Sequence, residues 1–387
     1  MTDHQIPVVI AARRTPITTK GSRLAHVAAE HLAGPVIQNC IEDAGRAIGS
    51  RPDIGDVVLG NCMGPGGNLA RLSALAAGID VTVPGMTVDR QCGSGLSAII
   101  TAGDAIRAGD GRMQIAGGVE SASTAPERIS GGVAYARPPF APSGFPDPEM
   151  GPAAQTLASI YGIDRKRQDS YAARSHRLAV AAQELGRFDD EIVEIGGVRV
   201  DDGPRVGMPA MLDRFTPLFP NAEGEAGGTV TAGNSCRISD GAAAVALVPA
   251  SARGTAPGLA LVSKATVGCD PAFPGTGPVA AVTRALADAG VTLAEVTAFE
   301  IVEAFAAQTL AVLHLLGLTR NGEADPRVCA QGGALALGHP WSASGAVSVV
   351  RLFTRLVRGD APTGTLGIAT AAIGGGMGVA ALFEVVR

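Results

Sequence analysis

The sequence contains few aromatic side chains and almost no lysine, and each shortage argues against a class of partner. Aromatic residues make up 4% of the 387 residues, which leaves little material for stacking nucleobases or sugars. Lysine stands only at Lys20, Lys166 and Lys264, which leaves arginine as 28 of the 31 cations. Because the net charge is −5 and no basic run occurs, we expect no nucleic-acid partner.

Cysteine is scarce too, and its spacing argues against a metal site. The six cysteines are Cys40, Cys62, Cys92, Cys236, Cys269 and Cys329. They form no CxxC pair, and no histidine cluster with zinc spacing lies near them in the sequence. We therefore expect no bound metal.

Long apolar runs are also missing. No stretch of 18 apolar residues is free of turn formers, so we expect no spanning helix. The first 16 residues lack the apolar core of a signal peptide. These two features predict a protein that makes no membrane contact and is cytoplasmic.

What the sequence does contain is an alternation of short β-rich runs with alanine- and leucine-rich runs. At 387 residues, the chain exceeds the roughly 250–300 at which one hydrophobic core stops growing, so we expect more than one core. The pattern predicts strands over 8–12, 56–60, 85–89 and 113–118, and helices over 26–44, 69–78 and 97–108. Such alternation is typical of βαβ units and predicts a mostly parallel sheet.

The pattern changes between residues 120 and 234 and then resumes. A loop rich in proline and glycine over 137–152 precedes two predicted helices, 153–161 and 165–185. We interpret this segment as an insertion that lies over the first sheet. The second half has predicted strands over 242–248, 260–267, 298–302, 365–372 and 378–385, and helices over 278–289, 304–316 and after Ser344. The two halves are similar in kind, which indicates an internal duplication.

Cys92 is the first candidate catalytic residue. It stands where a predicted strand ends and a helix begins, and Gly93 and Gly95 follow it closely. Helix N-termini lower the pKa of a thiol, because the helix dipole and free N–H groups favour the anion. On this segment alone, a cysteine that merely packs in a tight turn is an equally open interpretation.

Two further segments carry candidates of the same kind. His339 stands between Gly338 and Pro340, in a loop of small residues, where a histidine is suited to act as the base for a thiol. Gly374 begins a turn with four glycines between two predicted strands, and its backbone N–H groups could face an oxyanion. A loop-capping histidine and an ordinary tight turn are the alternatives.

Taken together, these segments resemble the thiolase family, whose members make or break a carbon–carbon bond beside a thioester of coenzyme A. The matching motifs run in order along nearly the whole chain: Arg14-Thr-Pro, Asp89-Arg-Gln-Cys92, Gly117-Gly-Val-Glu-Ser121, Gly228-Thr-Val-Thr-Ala-Gly-Asn234, Gly332-Gly-Ala-Leu-Ala-Leu-Gly-His-Pro340 and Gly374-Gly-Gly-Met-Gly378. The resemblance implies two duplicated α/β halves in a five-layer αβαβα arrangement. It places one half at 1–119 with 239–258, an inserted CoA-binding domain at 120–238, and the other half at 259–387.

The resemblance also implies roles for individual residues. Cys92 corresponds to the nucleophile that takes the acyl group, and His339 to the residue that activates it and helps to form one oxyanion hole. The N–H groups of Cys92 and Gly374 correspond to the other oxyanion hole. Contacts with coenzyme A fall on Met150, Ala232, Ser235 and Cys236. A coenzyme A thioester is then a substrate with no permanently bound cofactor, and the protein is a homodimer or homotetramer.

Two departures from the family pattern affect the second half of the reaction. Ala372 stands where the family has a second cysteine that moves a proton at the α-carbon, and Val302 stands where Asn or His orders a water. A missing general base costs on the order of 10²–10⁴ in rate, and a missing oxyanion donor roughly 10²–10³. The residues needed to acylate Cys92 are therefore all present, whereas residues needed to activate a carbon nucleophile are missing.

Smaller departures lie in the same segments. Cys236 replaces a serine that contacts pantetheine, Cys329 stands where Asn is common, and Trp341 and Ser342 follow Pro340 in place of smaller residues. Trp341 could reshape the acyl pocket. Whether Cys236 or Cys329 replaces the missing base stays open, beside the alternative that both are small buried hydrophobic residues.

These features predict an acyltransferase that passes the acyl group from Cys92 to an amine, an alcohol, a thiol or water. One alternative is a β-ketoacyl-CoA thiolase with a relocated base. A second is a non-catalytic subunit that binds acyl-CoA within a complex, which intact Cys92 and His339 argue against.

Overall fold

The computed structural model describes residues 5–220 and 227–387. Its strands are β1 (Pro7–Arg14), β2 (Thr18–Thr19), β3 (Ile54–Gly60), β4 (Gly85–Val88), β5 (Met113–Glu120), β6 (Arg128–Ser130), β7 (Val133–Tyr135), β8 (Ser239–Pro249), β9 (Gly258–Gly268), β10 (Val296–Ile301), β11 (Thr319–Arg320), β12 (Glu323–Ala324), β13 (Leu366–Ile373) and β14 (Met377–Val386). Its helices are α1 (Ala29–Ile48), α2 (Leu69–Ala76), α3 (Ser94–Arg107), α4 (Met150–Ile160), α5 (Arg165–Glu184), α6 (Gly277–Ala289), α7 (Ala306–Leu316), α8 (Ala334–Leu337) and α9 (Trp341–Leu352).

A large mixed sheet organises the molecule, with strand order β10-β13-β14-β9-β1-β8-β5-β3-β4. β3 is parallel to β4 and β5, and β10 is parallel to β13, but the other neighbours on this path are antiparallel. The prediction of a mostly parallel sheet was therefore wrong. The reasons are that β8 enters between β1 and β5 in the opposite direction, and that β13 and β14 form a hairpin.

The sheet divides into two parts that are stacked with helices between and outside them. β1 and β9 join the parts through only two residue pairs, Val8 with Ala260 and Val9 with Leu259. Helices α3 and α9 pack against each other and contact strands of both parts. Helices α1 and α2 cover the first part from outside, and α6 and α7 lie outside the second. This order confirms the predicted five-layer αβαβα fold.

Three apolar clusters fill the spaces between these layers. The central cluster includes Leu96 and Ile99 of α3 together with Val349 of α9. A second cluster joins α6 and α7 to β13, and a third joins α1 and α2 to β3 and β5. The expectation of more than one core from the chain length is met, because each outer helical layer buries its own apolar face.

The segment predicted as an insertion packs mainly on the second half. Leu157 of α4 and Ala172 of α5 share the cluster of α6 and α7, and Tyr171 Oη donates to the buried Glu303 carboxylate at 2.7 Å. The interpretation that it lies over the first sheet was wrong for these two helices, because α4 packs against α7, and α5 packs against α7 and α8. The predicted domain boundaries stay a prediction, and the range 120–238 includes residues 221–226, which lie outside the described residues.

The parallel strands bring chemistry-bearing residues to one edge of the sheet. Cys62 follows β3, Cys92 follows β4, and Glu120 ends β5. In the second half, Val302 follows β10 and Gly374 follows β13. Because the carboxyl ends of parallel strands meet at one edge, this is where a site is expected in an α/β fold. Within residues 5–220 and 227–387, no helix has the length and apolar character needed to cross a membrane.

Candidate active site

Cys92 is held in a short turn of 3₁₀-helix, Gln91–Gly93, directly before α3. Gln91 adopts a left-handed conformation with φ of +48°, which is strained for a residue with a side chain. The Asp89 carboxylate accepts the Gln91 N–H at 2.9 Å, and Ser94 Oγ donates to the Gln91 carbonyl at 2.6 Å. The neighbouring hydrogen bonds therefore stabilise a conformation that presents the thiol at the end of the helix.

His339 meets this thiol from the second half of the chain. Its Nε2 lies 3.3 Å from Cys92 Sγ, and its Nδ1 lies 2.6 Å from Ser344 Oγ. The loop before it depends on Gly338, whose φ is +110° and whose Cβ, if present, would collide with Ser239 Oγ. The His339 N–H donates to the Arg237 carbonyl at 2.9 Å. Nucleophile, base and an orienting hydroxyl are thus in the order that thiol activation requires.

The ionisation of this pair differs from the expectation for a helix start. Burial raises the pKa of the Cys92 thiol to about 12, and the negative charges of Glu120 and Asp89 act in the same direction. Burial lowers the pKa of His339 to about 4. The expectation of a lowered thiol pKa was wrong, because desolvation outweighs the helix dipole here. The resting pair is a neutral thiol beside a neutral imidazole.

This ionisation predicts the pH dependence of acylation. His339 stays neutral above about pH 4 and Cys92 keeps its proton below about pH 12, so both hold their reactive forms across the neutral range. We expect the rate of acyl transfer from acetyl-CoA to Cys92 to be flat from about pH 6 to pH 9, as quenched samples in intact-protein mass spectrometry will show. A tenfold rise per pH unit, as for attack by a free thiolate, contradicts it, and so does an inflection near pH 6.5.

Gly374 follows β13, a strand that contacts the turn holding Cys92. It begins the turn between β13 and β14, in which Gly375 and Gly376 have φ of +86° and +81°. A Cβ on Gly374 would lie 2.6 Å from the Phe140 ring, and one on Gly93 would collide with the Ile373 side chain. Gly93 therefore lets Ile373 at the end of β13 pack against the Cys92 turn, and Gly374 leaves room for the Phe140 ring. The assignment of the Cys92 and Gly374 N–H groups to an oxyanion hole stays a prediction.

The two positions that depart from the family pattern lie at the same edge. Val302 is 4% exposed, and its N–H donates to the Thr370 carbonyl at 3.0 Å. Ala372 is partly exposed, next to Ile373 at the end of β13. Neither side chain can donate a hydrogen bond or carry a proton.

Of the residues predicted to contact coenzyme A, Met150 lies on α4, and the other three lie in the turn that follows Val230. Met150 begins α4 and Gln155 follows within it; the Gln155 side-chain oxygen accepts the N–H groups of Thr229 and Val230 at 2.7 and 3.0 Å. That segment leads into the turn that carries Ala232, which is exposed, and Ser235, which is partly exposed. Ser235 Oγ donates to the Thr231 carbonyl at 2.7 Å. Contact of these residues with coenzyme A stays a prediction.

The two candidate replacement bases differ in burial. Cys329 is fully buried, and its thiol donates to the Ile301 carbonyl at 3.4 Å. Burial raises its pKa well above the usual value. Cys236 is partly exposed, and after burial the charge of Cys92 is the largest cause that raises the pKa of Cys236 to about 12. Cys236 directly precedes Arg237, whose carbonyl accepts the His339 N–H at 2.9 Å, so Cys236 lies near the His339 loop.

The sequence reasoning missed the roles of Cys62, Glu120 and Ser344, which lie near Cys92 or contact His339. The Glu120 carboxylate accepts the Cys62 thiol at 3.0 Å and the Ser342 hydroxyl at 2.7 Å. Burial raises the pKa of Glu120. Cys62 and Glu120 could have been found, because both follow or end predicted neighbouring parallel strands. No comparable pattern marked Ser344, whose contact with His339 depends on where α9 begins.

Comparison with known proteins finds related sequences and a related crystal structure over nearly the whole chain. The model of the thiolase N-terminal domain matches residues 7–251, and that of the thiolase C-terminal domain matches residues 256–385. A Bacillus subtilis protein named "Putative acetyl-CoA C-acetyltransferase YhfS" is 40% identical over 385 residues, covering 98% of this chain and 99% of that protein. The acetyl-CoA acetyltransferase of Pseudomonas aeruginosa is 40% identical over 400 residues, covering 96% and 98%. The crystal structure of the Bacillus anthracis acetyl-CoA acetyltransferase matches with a TM-score of 0.86 and 34% identity, covering 98% of this chain and 99% of that one.

Proposed function

This chain belongs to the thiolase family, and on that premise we propose that it loads an acyl group from an acyl-CoA onto Cys92 and passes it to an acceptor that forms no carbanion. That acceptor is an amine, an alcohol, a thiol or water. The observation that carries the proposal is the contact of Cys92 Sγ with His339 Nε2 at 3.3 Å, beside apolar Val302 and Ala372 where carbon–carbon chemistry needs polar groups.

The first half-reaction follows from the protonation states of the pair. The Cys92 thiol attacks the thioester carbonyl while its proton moves to His339 Nε2, which is neutral at rest. The carbonyl oxygen gains the charge, and the N–H groups of Cys92 and Gly374 stabilise it. When the carbon–sulfur bond to coenzyme A breaks, the imidazolium returns the proton to the departing thiolate. Acyl-Cys92 and coenzyme A with a neutral thiol result, and His339 is again ready to accept a proton from the acceptor.

The substrate and assembly follow from the family. The relatives named above are acetyl-CoA acetyltransferases, so a coenzyme A thioester is the proposed donor, bound for each turnover and released. Met150, Ala232, Ser235 and Cys236 are proposed to contact its pantetheine arm. A homodimer or homotetramer in the cytoplasm is part of the same proposal.

A second candidate is a carbon–carbon thiolase whose base has moved to Cys236. Cys236 directly precedes Arg237, whose carbonyl accepts the His339 N–H at 2.9 Å, and the Cys236 N–H donates to the Ala304 carbonyl at 2.9 Å, two residues after Val302. Burial is the main cause that raises the pKa of Cys236 to about 12. A second thiol thus lies near the His339 loop, although Ala372 supplies none. In this candidate, the purified protein cleaves β-ketoacyl-CoA, and Cys236→Ser abolishes the cleavage but leaves acylation of Cys92 intact.

The proposal is tested by intact-protein mass spectrometry after mixing with acetyl-, malonyl- and longer acyl-CoAs. We expect an acyl adduct on the wild-type protein that is absent from Cys92→Ala and strongly delayed in His339→Ala. Cys269→Ala is the matched control, since Cys269 is another partly exposed thiol, and its variant should acylate like the wild type. The donor that gives the adduct identifies the acyl class. A folded wild-type protein that forms no adduct with any donor contradicts the proposal and favours the binding-subunit alternative.

A further inference from the structure

A small cavity lies beside the loop that carries His339, and Gly338 and Pro340 line it. Its volume is about 20 Å³, and thirteen of its fourteen lining residues are buried. A single ordered water needs about 10–15 Å³ of such space and two to four polar partners. One wall is Val302 and the loop around Gly333, and the facing wall is α9. The cavity therefore has room for one water molecule if polar groups face it.

The wall formed by α9 supplies those groups. Ser344, Ser348 and Arg351 line the cavity at intervals of four and three residues, which places them on one face of the helix. Their exposed fractions are 4%, 7% and 2%. The Arg351 guanidinium bonds to Glu191 and Gln331 through its two terminal nitrogens. Its Nε–H is buried and has no partner among the described residues, and such an unpaired buried donor costs about 1–3 kcal/mol.

The direction of the hydrogen bond between Ser344 and His339 decides which nitrogen of His339 carries the proton. The contact of Ser344 Oγ with His339 Nδ1 at 2.6 Å can be made in two ways. If the hydroxyl donates to Nδ1, the neutral imidazole carries its proton on Nε2 and cannot accept one from Cys92. If Nδ1–H donates to Ser344 Oγ, Nε2 is free to accept, but the hydroxyl proton then needs another acceptor. In the ranges 5–220 and 227–387, no such acceptor contacts Ser344 Oγ.

We infer that an ordered water in this cavity accepts both the Ser344 O–H and the Arg351 Nε–H and thereby selects the His339 tautomer that can deprotonate Cys92. The water oxygen offers two lone pairs, one for each donor, and its own protons reach Ser348 Oγ and the backbone around it. Ser344, Ser348 and Arg351 are then positioning residues, which act on the reaction only through His339. In a serine hydrolase triad, the wrong histidine tautomer lowers the rate by about 10⁴. The tautomer of His339 can therefore change the rate of acylation strongly.

The inference rests on the proposed role of His339 as base, but it makes a prediction that needs no turnover. Protein labelled with [¹⁵N]histidine distinguishes the two neutral tautomers by the chemical shifts of Nδ1 and Nε2, and His339→Gln assigns the signal. We expect the wild-type His339 signal to be that of the Nδ1–H tautomer at neutral pH. Arg351→Lys keeps a cation near Glu191 but removes the Nε donor, and Ser348→Ala removes the second partner. Both should shift the signal towards the Nε2–H tautomer and slow acylation of Cys92 by roughly tenfold or more.

Thr354→Val is the matched control. Thr354 lies just beyond α9, and its hydroxyl donates to the same Glu191 carboxylate at 2.6 Å, but it does not line the cavity. Its variant disturbs the ion network and should leave the His339 signal unchanged. A wild-type Nε2–H tautomer overturns the inference, and so does a shift in Thr354→Val equal to that in Arg351→Lys. A correct tautomer in a protein that never acylates Cys92 contradicts the proposed function alone.

Discussion

Replacing Ala372 by Cys and Val302 by Asn should raise the rate of β-ketoacyl-CoA cleavage by about 10²-fold or more over the wild type. A general base contributes on the order of 10²–10⁴ in rate, and an oxyanion donor roughly 10²–10³. Ala372 is partly exposed, at the end of β13 next to the Gly374 turn, so a thiol there has room. Val302 lines the cavity beside the His339 loop, where an Asn side chain of similar size can reach a water.

The measurement is the absorbance of the enolate form of acetoacetyl-CoA as it is cleaved by coenzyme A. Ala372→Ser with Val302→Asn is the matched control, because serine has nearly the size of cysteine but does not act as a base at neutral pH. The control gains the oxyanion donor but lacks the base, so its rate should stay well below that of the Ala372→Cys, Val302→Asn variant. A wild-type protein that already cleaves the substrate as fast as the double variant contradicts the proposed non-carbanion acceptor. A folded double variant that acylates Cys92 but gains nothing shows that more than these two groups has been lost.

Replacing Arg14 by Met should destabilise the folded protein by about 3–5 kcal/mol, the cost of leaving buried carboxylates without their cation. Arg14 is fully buried and bonds to Glu191 at 2.7 Å and to Asp201 at 2.7 and 2.9 Å. Glu191 also pairs with Arg351 of α9. The Arg14-Thr-Pro motif therefore fastens β1 to the segment after α5 and, through Glu191, to the helix behind the active site.

Arg13→Met is the matched control for this experiment. Arg13 pairs with Asp43 at 2.6 Å, but the two side chains are 20% and 17% exposed. Because water still reaches this pair, Arg13→Met should destabilise the protein less than Arg14→Met. Urea unfolding, followed by circular dichroism, compares the midpoints of the two variants with the wild type. If Arg14→Met unfolds no earlier than Arg13→Met, the buried network does not stabilise the fold as argued. If Arg14→Met does not accumulate, Arg14→Lys, which keeps the charge, should show an intermediate loss.

Elements that depend on local patterns could be predicted from the sequence. The predicted strand over 113–118 and the predicted helix over 165–185 agree with β5 and α5 to within a few residues. The agreement follows because the pattern of apolar residues along the sequence reports which residues are buried. The helix predicted after Ser344 begins instead at Trp341. That difference of one turn decided whether Ser344 could be recognised, since only the observed start places its hydroxyl against His339.

Features that depend on distant contacts could not be predicted in this way. Strand direction in the sheet depends on β8, which returns to pair with β1 after more than 220 residues of chain; no local pattern reports that. The pKa of Cys92 depends on how much protein covers it, and burial reverses the effect expected from the helix start. Cys92, His339 and Gly374 were found because motifs mark them, whereas Cys62 and Glu120 are marked only by their place after neighbouring strands, a pattern that the sequence reasoning did not use.

The crossing of α3 and α9 sets how far the reacting sulfur lies from its base. Cys92 directly precedes α3 and His339 stands two residues before α9. A Cβ on Gly95 of α3 would lie 2.6 Å from the Ser342 carbonyl, and one on Gly345 of α9 would lie 2.8 Å from Leu96 Cβ. One added methyl group at either position would push the helices apart. We therefore expect Gly95→Ala and Gly345→Ala to slow the reaction, although both residues lie in the interior of the protein and not at the substrate. The distance between the thiol and the imidazole is therefore set inside the protein, by contacts between two helices that touch neither the substrate nor the transferred proton.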